Sequence, residues 1–274
     1  AGVFDVFLEN GIEFDGAIGV SAGAAFGCNF KSKQAGRVIR YNKRFSKDPR
    51  FCSLRSLIKT GDLFGAEFCY HTIPNELDIF DTQAYTDNPM DFYVVCTDVK
   101  TGKAVYINSD EAGDDALEYF RASASMPLVS KVVKIKGREL LDGGIADSVP
   151  IQYFESIGYD RNVIILTQPQ GFVKKPSSAV KVMKLILKKY PMVIKAMENR
   201  HNEYNETIDY ITKKEQSGEV LVIRPESALE IGRIEHNPDV LQRVYDLGRQ
   251  AGKKHLTAVK EFIKKEKDEY GEMV

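Results

Sequence analysis

The sequence predicts a layered α/β domain followed by a mostly helical extension. Three observations carry this. Short apolar segments of strand character alternate with segments of helical period up to about residue 167. One of these segments runs into a helix through a Gly-x-Ser-x-Gly turn. After Gln168-Pro169-Gln170-Gly171 the composition shifts to lysine-rich helical patterns. These place an α/β domain over 1–170 and a mostly helical extension over 171–274.

The elements follow in order. Val3, Val6, Phe7 and Leu8 give a helical stripe that Gly11 stops. This helix is already in progress at the first residue, so a preceding native segment is expected, and a targeting signal could lie in it. Phe14–Val20 reads as a buried strand, Ala22–Lys31 as a helix, and Gln34–Ser46 as a second, basic helix. Residues 48–90 are rich in turn formers and predict short helices and loops. Asp91–Val99 reads as a strand, with Lys103–Asn108 as its neighbour across the Thr101-Gly102 turn. Ala112–Ser123 is a helix. Lys131–Ile135 and Glu139–Leu141 flank Gly137-Arg138 as a hairpin. Pro150–Ile157 suggests a helix and Asn162–Thr167 a strand. In the extension, helical patterns continue to Gln216, Glu219–Arg224 is one more strand, and Asp239–Lys267 is a long charged helix.

Composition limits the function. Of 274 residues, 43% are hydrophobic and 28% charged, as in ordinary globular chains, which excludes disorder and disulfide scaffolds. Lys and Arg total 38 against 39 Asp and Glu, a net charge of −1 that argues against nucleic-acid binding. Cys28, Cys52, Cys69 and Cys96 form no C-x-x-C pair and read as reduced thiols of a cytoplasmic protein. No apolar run is long enough to span a bilayer. No phosphate-loop or dinucleotide fingerprint occurs, and the histidines lack metal-ligand spacing, so neither a cofactor nor a metal is implied.

The sharpest chemical feature is Gly19-Val20-Ser21-Ala22-Gly23 between a strand and a helix. Small residues let the backbone turn sharply and lift the Ser21 hydroxyl above the sheet edge. The start of the helix favours developing negative charge there, and the Ala22 N–H is placed as an oxyanion donor. A serine needs a base. His71, His201, His236 and His255 lie in no strand-end setting. Asp142-Gly143-Gly144 follows Leu140-Leu141 at a strand end; alone it reads as an ordinary Asp-Gly turn. Ser123 and Ser125 read as helix-terminating residues before Pro127, and Asp147 as a polar turn residue.

The two segments together resemble the patatin-like phospholipase family. The matching pieces are Leu8–Ile12, Phe14–Ala24, Arg121–Pro127 and Leu141–Pro150, within about residues 1–170. The resemblance implies a three-layer α/β/α sandwich with a mostly parallel central sheet. It implies a serine hydrolase of lipid acyl esters with Ser21 as nucleophile, Asp142 as base and no histidine. Gly19, Val20, Ala22, Gly23, Gly143 and Gly144 complete the motifs. Family members also carry a glycine-rich oxyanion loop before the first helix, which this sequence does not include. A lipid-binding pseudo-enzyme therefore stays open, as does a Ser-His-Asp α/β-hydrolase using a later histidine such as His236. The elbow stands too near the start for that last fold.

One further segment bears on partners. Residues 174–200 hold seven lysines, Arg200 and a single acid, Glu198. Ala179, Met183, Ile186, Leu187 and Tyr190 fall on one side of a helix, with Lys181, Lys184 and Lys188 on another. Pro191 is expected to divide the run into two short segments. Such a segment suits peripheral contact with an anionic membrane, or packs its apolar side on the main domain.

Overall fold

The computed structural model describes residues 1–269. Strands and helices are numbered separately in chain order. Asp91–Asp98 (β2) is the centre of a five-stranded sheet. Gly16–Val20 (β1) pairs with it in parallel, from Gly16 opposite Asp91 to Val20 opposite Val95. Ala104–Asn108 (β3) occupies the other edge of β2, antiparallel. Where β1 stops, Arg138–Asp142 (β5) takes over its edge, antiparallel, with Asp142 opposite Cys96. Val133–Ile135 (β4) pairs with β5. Asn162–Ile165 (β6) and Val220–Ile223 (β7) form a separate parallel pair.

The five-stranded sheet is therefore mixed, which corrects the expectation of a mostly parallel one. Connection length is the reason. Only β1 and β2 are joined by a long helical crossover, which parallel pairing requires. β4 and β5 are joined by Lys136-Gly137, with φ of 47° and 78°, a tight turn that fixes an antiparallel hairpin. The short turn at Gly102 (φ 68°) does the same for β2 and β3.

Strand alternation sorts the helices. Phe92, Val94 and Cys96 face a core shared with Phe7 of Gly2–Glu9 (α1), Cys28 of Ala22–Lys31 (α2) and Phe120 of Ala116–Ser123 (α7). Val259 of Pro238–Glu269 (α11) joins that core, so the last helix packs with the first. On the other face Tyr93 meets Tyr153 and Phe154 of Ile151–Ser156 (α8), at ring distances of 6.3 and 5.9 Å. Leu141, Val99 and Ile145 pack against Met183 of Ala179–Ile186 (α9) and against Val193 and Met197 of Pro191–Ser217 (α10).

Between these lie Arg37–Phe45 (α3), Leu54–Thr60 (α4), a π-helical stretch Phe68–Leu77, Thr82–Asp87 (α5) and Ser109–Ala112 (α6). The helix expected over Ala112–Ser123 is interrupted, because Gly113 adopts φ 60° between α6 and α7. Pro191 does not give two short segments. It opens α10, which runs for 27 residues, since proline fits the first helical turn where no N–H is needed. Ala179 and Met183 of α9, and Leu187 and Tyr190 just after it, do pack inward. Ile186 does not: it is 63% exposed, beside Val182 and Leu185 at 47% and 71%. Among the described residues no helix is long and apolar enough to cross a membrane.

Candidate active site

β1 and β5 run toward each other along one edge of β2. β1 ends opposite Val95 and β5 ends opposite Cys96, its adjacent residue. Ser21 and Asp142 follow from those two ends and meet across 121 residues of chain. The Ser21 Oγ–H donates to Asp142 Oδ2 at 2.7 Å.

Ser21 has φ 54° and ψ −119°, a conformation costing a non-glycine residue about 1–3 kcal/mol. Its backbone is fixed on both sides. The N–H donates to Ser123 Oγ at 2.8 Å, and Ser123 Oγ–H donates to the Val95 carbonyl at 2.6 Å. The Ser21 carbonyl accepts the N–H groups of Ala24 and Ala25, which starts α2. A Cβ on Gly19 would lie 2.6 Å from the Gly23 carbonyl oxygen and 2.7 Å from Ala24 Cα, so glycine is needed for α2 to fold back on β1. A Cβ on Gly23 would meet nothing within 4 Å. Val20 is half-buried as the last residue of β1, while Ala22 and Gly23 are exposed. The N–H groups of Ala22 and Gly23 precede the intrahelical bonds and are open to an incoming oxyanion.

Asp142 is 5% exposed. Oδ2 faces Ser21, and Oδ1 accepts the Gly144 N–H at 2.8 Å. Its own N–H donates to the Ser125 carbonyl at 2.8 Å, and its carbonyl accepts Thr97 Oγ1–H at 2.8 Å. A Cβ on Gly143 would stand 2.1 Å from the Val95 oxygen, so only glycine permits this approach to β2. Burial pushes the Asp142 carboxyl above the usual carboxylate range. Its hydrogen bonds from Ser21 and Gly144, and the charges of Arg200 and Arg233, offset only part of that.

Sequence reasoning singled out Ser21, Asp142 and the glycines of both motifs, and the structure brings them together. It missed two neighbours. Ser123, read as a helix terminator, also bridges Ser21 to β2. Arg200 of α10 donates through Nε to the Gly144 carbonyl, one residue beyond the Asp142-Gly143 step. Its only sequence signal is being the sole arginine in a run of lysines. Asp147 accepts Tyr106 O–H at 2.8 Å and the Val149 N–H at 3.2 Å, a turn role apart from Ser21. None of the four histidines bonds Ser21 or Asp142 among the described residues. His236 Nδ1 bonds the Ser46 carbonyl at 2.6 Å, His255 Nδ1 the Ala251 carbonyl, and His71 Nε2 lies 3.3 Å from Glu118, while buried His201 Nδ1 has no partner among the described residues. Among the described residues no cluster of three His, Cys, Asp or Glu side chains could hold a metal.

Residues 1–155 match the patatin-like phospholipase family, and residues 190–264 match a domain of unknown function (DUF6363). The uncharacterized protein YjjU of Escherichia coli (strain K12) is 23% identical over 273 residues, covering 96% of this chain and 74% of the relative. The uncharacterized NTE family protein Rv1063c of Mycobacterium tuberculosis (strain ATCC 25618 / H37Rv) is 26% identical over 164 residues, covering 60% of this chain and 44% of the relative. With more than half its length matched by the family, and with the Gly-x-Ser-x-Gly and Asp-Gly-Gly segments adjoining in space, the chain belongs to the patatin-like phospholipases.

Proposed function

We propose that the protein is a lipid acyl hydrolase working through a Ser21–Asp142 dyad. The observation that carries this reading is the direct 2.7 Å hydrogen bond between the strained Ser21 and a buried carboxylate. Family membership supports the substrate class, an acyl ester of a lipid. As Ser21 Oγ attacks the ester carbonyl carbon, its proton passes to Asp142 Oδ2. The oxyanion is met by the Ala22 and Gly23 N–H groups at the positive end of α2. The Asp142 proton then leaves with the alkoxide, giving the free alcohol and an acyl-Ser21. Water attacks that ester and gives its proton to Asp142. Collapse releases the fatty acid, and the proton returns to Ser21 Oγ. An ordinary aspartate is too weak a base for serine near neutral pH; the raised pKa of Asp142 narrows that gap.

The division into a hydrolase domain over 1–170 and an extension over 171–274 belongs to this proposal, as does peripheral contact of 174–200 with anionic membranes. The latter is carried by the exposed Val182, Leu185 and Ile186 beside Lys181 and Lys188.

Fluorophosphonate labelling tests the nucleophile. Label on Ser21, with hydrolysis across a panel of lipid esters, supports the reading. Label elsewhere, or turnover that survives Ser21→Ala, overturns it.

A further inference from the structure

The wall of the cavity beside Ser21 carries cations that the acyl-transfer steps do not use. Ser21, Lys174, Arg200 and Tyr204 line one open cavity of about 2370 Å³. Arg200 spends only Nε on the protein, through the Gly144 carbonyl. Its Nη nitrogens make no hydrogen bond to the described residues and are not sealed from solvent. A Cβ on Gly144 would come within 3.2 Å of Arg200 Nη2, so the guanidinium lies directly against the turn that follows the base.

Lys174 is held in place by its backbone. Its N–H donates to Asn205 Oδ1 at 2.8 Å, and its carbonyl accepts Asn205 Nδ2–H at 3.0 Å. Its ammonium sits 4.0 Å from the centre of the Tyr204 ring, one helical turn along α10 from Arg200. Among the described residues, the ion pairs of the C-terminal region include no carboxylate partner for Lys174, Arg200 or Arg233. Lys174 and Arg200 repel each other. Burial first, and then the charges of Arg200 and Arg233, bring Lys174 down to about 8. Two cations against the single nearby carboxylate of Asp142 leave this wall net positive, which suits an anionic ligand, and arginine presents a planar fork matched to phosphate.

We infer that Lys174 and Arg200 form an anion subsite beside Ser21 that selects acyl esters ending in a phosphate monoester. A dianionic terminal phosphate satisfies the cluster. A phosphocholine headgroup carries its own cation into the same positive wall, and a neutral glyceride brings no charge. This rests on the hydrolase reading for its catalytic consequence, while the subsite itself is a binding property.

The test uses the full chain and three soluble esters of one short acyl chain: hexanoylglycerol 3-phosphate, hexanoylglycerophosphocholine and hexanoylglycerol. Being monomeric, they separate headgroup recognition from membrane partition. The phosphate ester is expected to have the highest kcat/KM, roughly 10-fold or more above the other two, as for one or two charge-assisted hydrogen bonds. The double variant Lys174→Gln, Arg200→Gln should bring the three within about 2-fold. Arg200→Lys, which keeps the charge but not the fork, should lower the preference part of the way. Equal turnover of the three esters by the parent, or a preference unchanged in the double variant, overturns the inference. Calorimetry on the Ser21→Ala protein with glycerol 3-phosphate and inorganic phosphate reads the subsite without chemistry. Binding lost in the double variant supports it even if no ester is cleaved, in which case the hydrolase reading alone fails. If inorganic phosphate binds and changes hexanoylglycerol turnover while the three esters stay equal, the cations serve a free anion and the headgroup assignment falls.

Discussion

The Ser123 hydroxyl accepts the backbone N–H of Ser21 at 2.8 Å and donates its own O–H to the Val95 carbonyl at 2.6 Å. Ser123 is fully buried, so neither group can turn to water if the hydroxyl is removed. One side chain thereby ties the strained residue to the strand beneath it.

Ser123→Ala should cost about 1–3 kcal/mol for each polar group left unpaired. Thermal unfolding should report this as a lower Tm, and steady-state kinetics as a fall in kcat larger than any rise in KM. Ser125→Ala is the control. Among the described residues Ser125 Oγ bonds only the Arg121 carbonyl one turn back, and the contact to Asp142 comes from its backbone. The expected order of effect on kcat is Ser123→Ala well above Ser125→Ala; the reverse order would remove Ser123 from this role.

Asp142→Asn should abolish turnover while raising stability at neutral pH. Burial raises the folded-state pKa above the unfolded value. The protonated form is therefore favoured by folding, and that advantage is lost as pH rises through the folded pKa. Asparagine keeps the neutral shape and an acceptor for Gly144 N–H. The gain should appear as a higher Tm at pH 7 in thermal unfolding. A lower Tm at pH 7 would contradict the burial argument.

The same shift predicts the acid limb of activity. Asp142 must be ionised to accept the Ser21 proton, so kcat should fall as pH drops through a value above the ordinary carboxylate range. A kcat–pH profile measures it. An inflection at the ordinary aspartate value, near 4, would mean that Asp142 is not desolvated in the working enzyme.

The two glycines of the serine motif should respond oppositely to alanine. Gly19→Ala forces a Cβ within 2.6 Å of the Gly23 oxygen and should destabilise strongly. Gly23→Ala points a methyl into open space in the first turn of α2 and should raise stability by up to about 1 kcal/mol. Chemical denaturation of the two variants side by side settles the order.

The exposed side of α9 should govern vesicle binding. Leu185→Glu with Ile186→Glu should lower sedimentation with anionic vesicles and leave Tm nearly unchanged, since both side chains are exposed. Met183→Glu, buried against Leu141, should instead destabilise the fold. Vesicle binding that survives the double variant would assign any membrane contact to another surface.

The sequence by itself determined the local elements and the two motifs. Ala22–Lys31 reads as a helix with the ends it has in the structure, because its apolar period and the Gly-Ser turn are written within a dozen residues. Asp142-Gly143-Gly144 is equally legible as a motif, although the approach that requires Gly143 is to Val95 of another strand. Tertiary structure decided what those elements face. That β5 takes the edge β1 vacates, bringing Asp142 to Ser21, depends on burying Leu140 and Leu141 on opposite sides of the sheet, against residues far away in the chain. Ser123 looked like a helix end because a hydroxyl announces no acceptor until another strand arrives. Arg200 looked like one more surface cation because a helix period shows which side of α10 is polar, not that part of that side closes over Gly144. Side-chain spacing specifies neighbours within a turn or two, while contacts across 121 residues are fixed only when the hydrophobic faces find a common core.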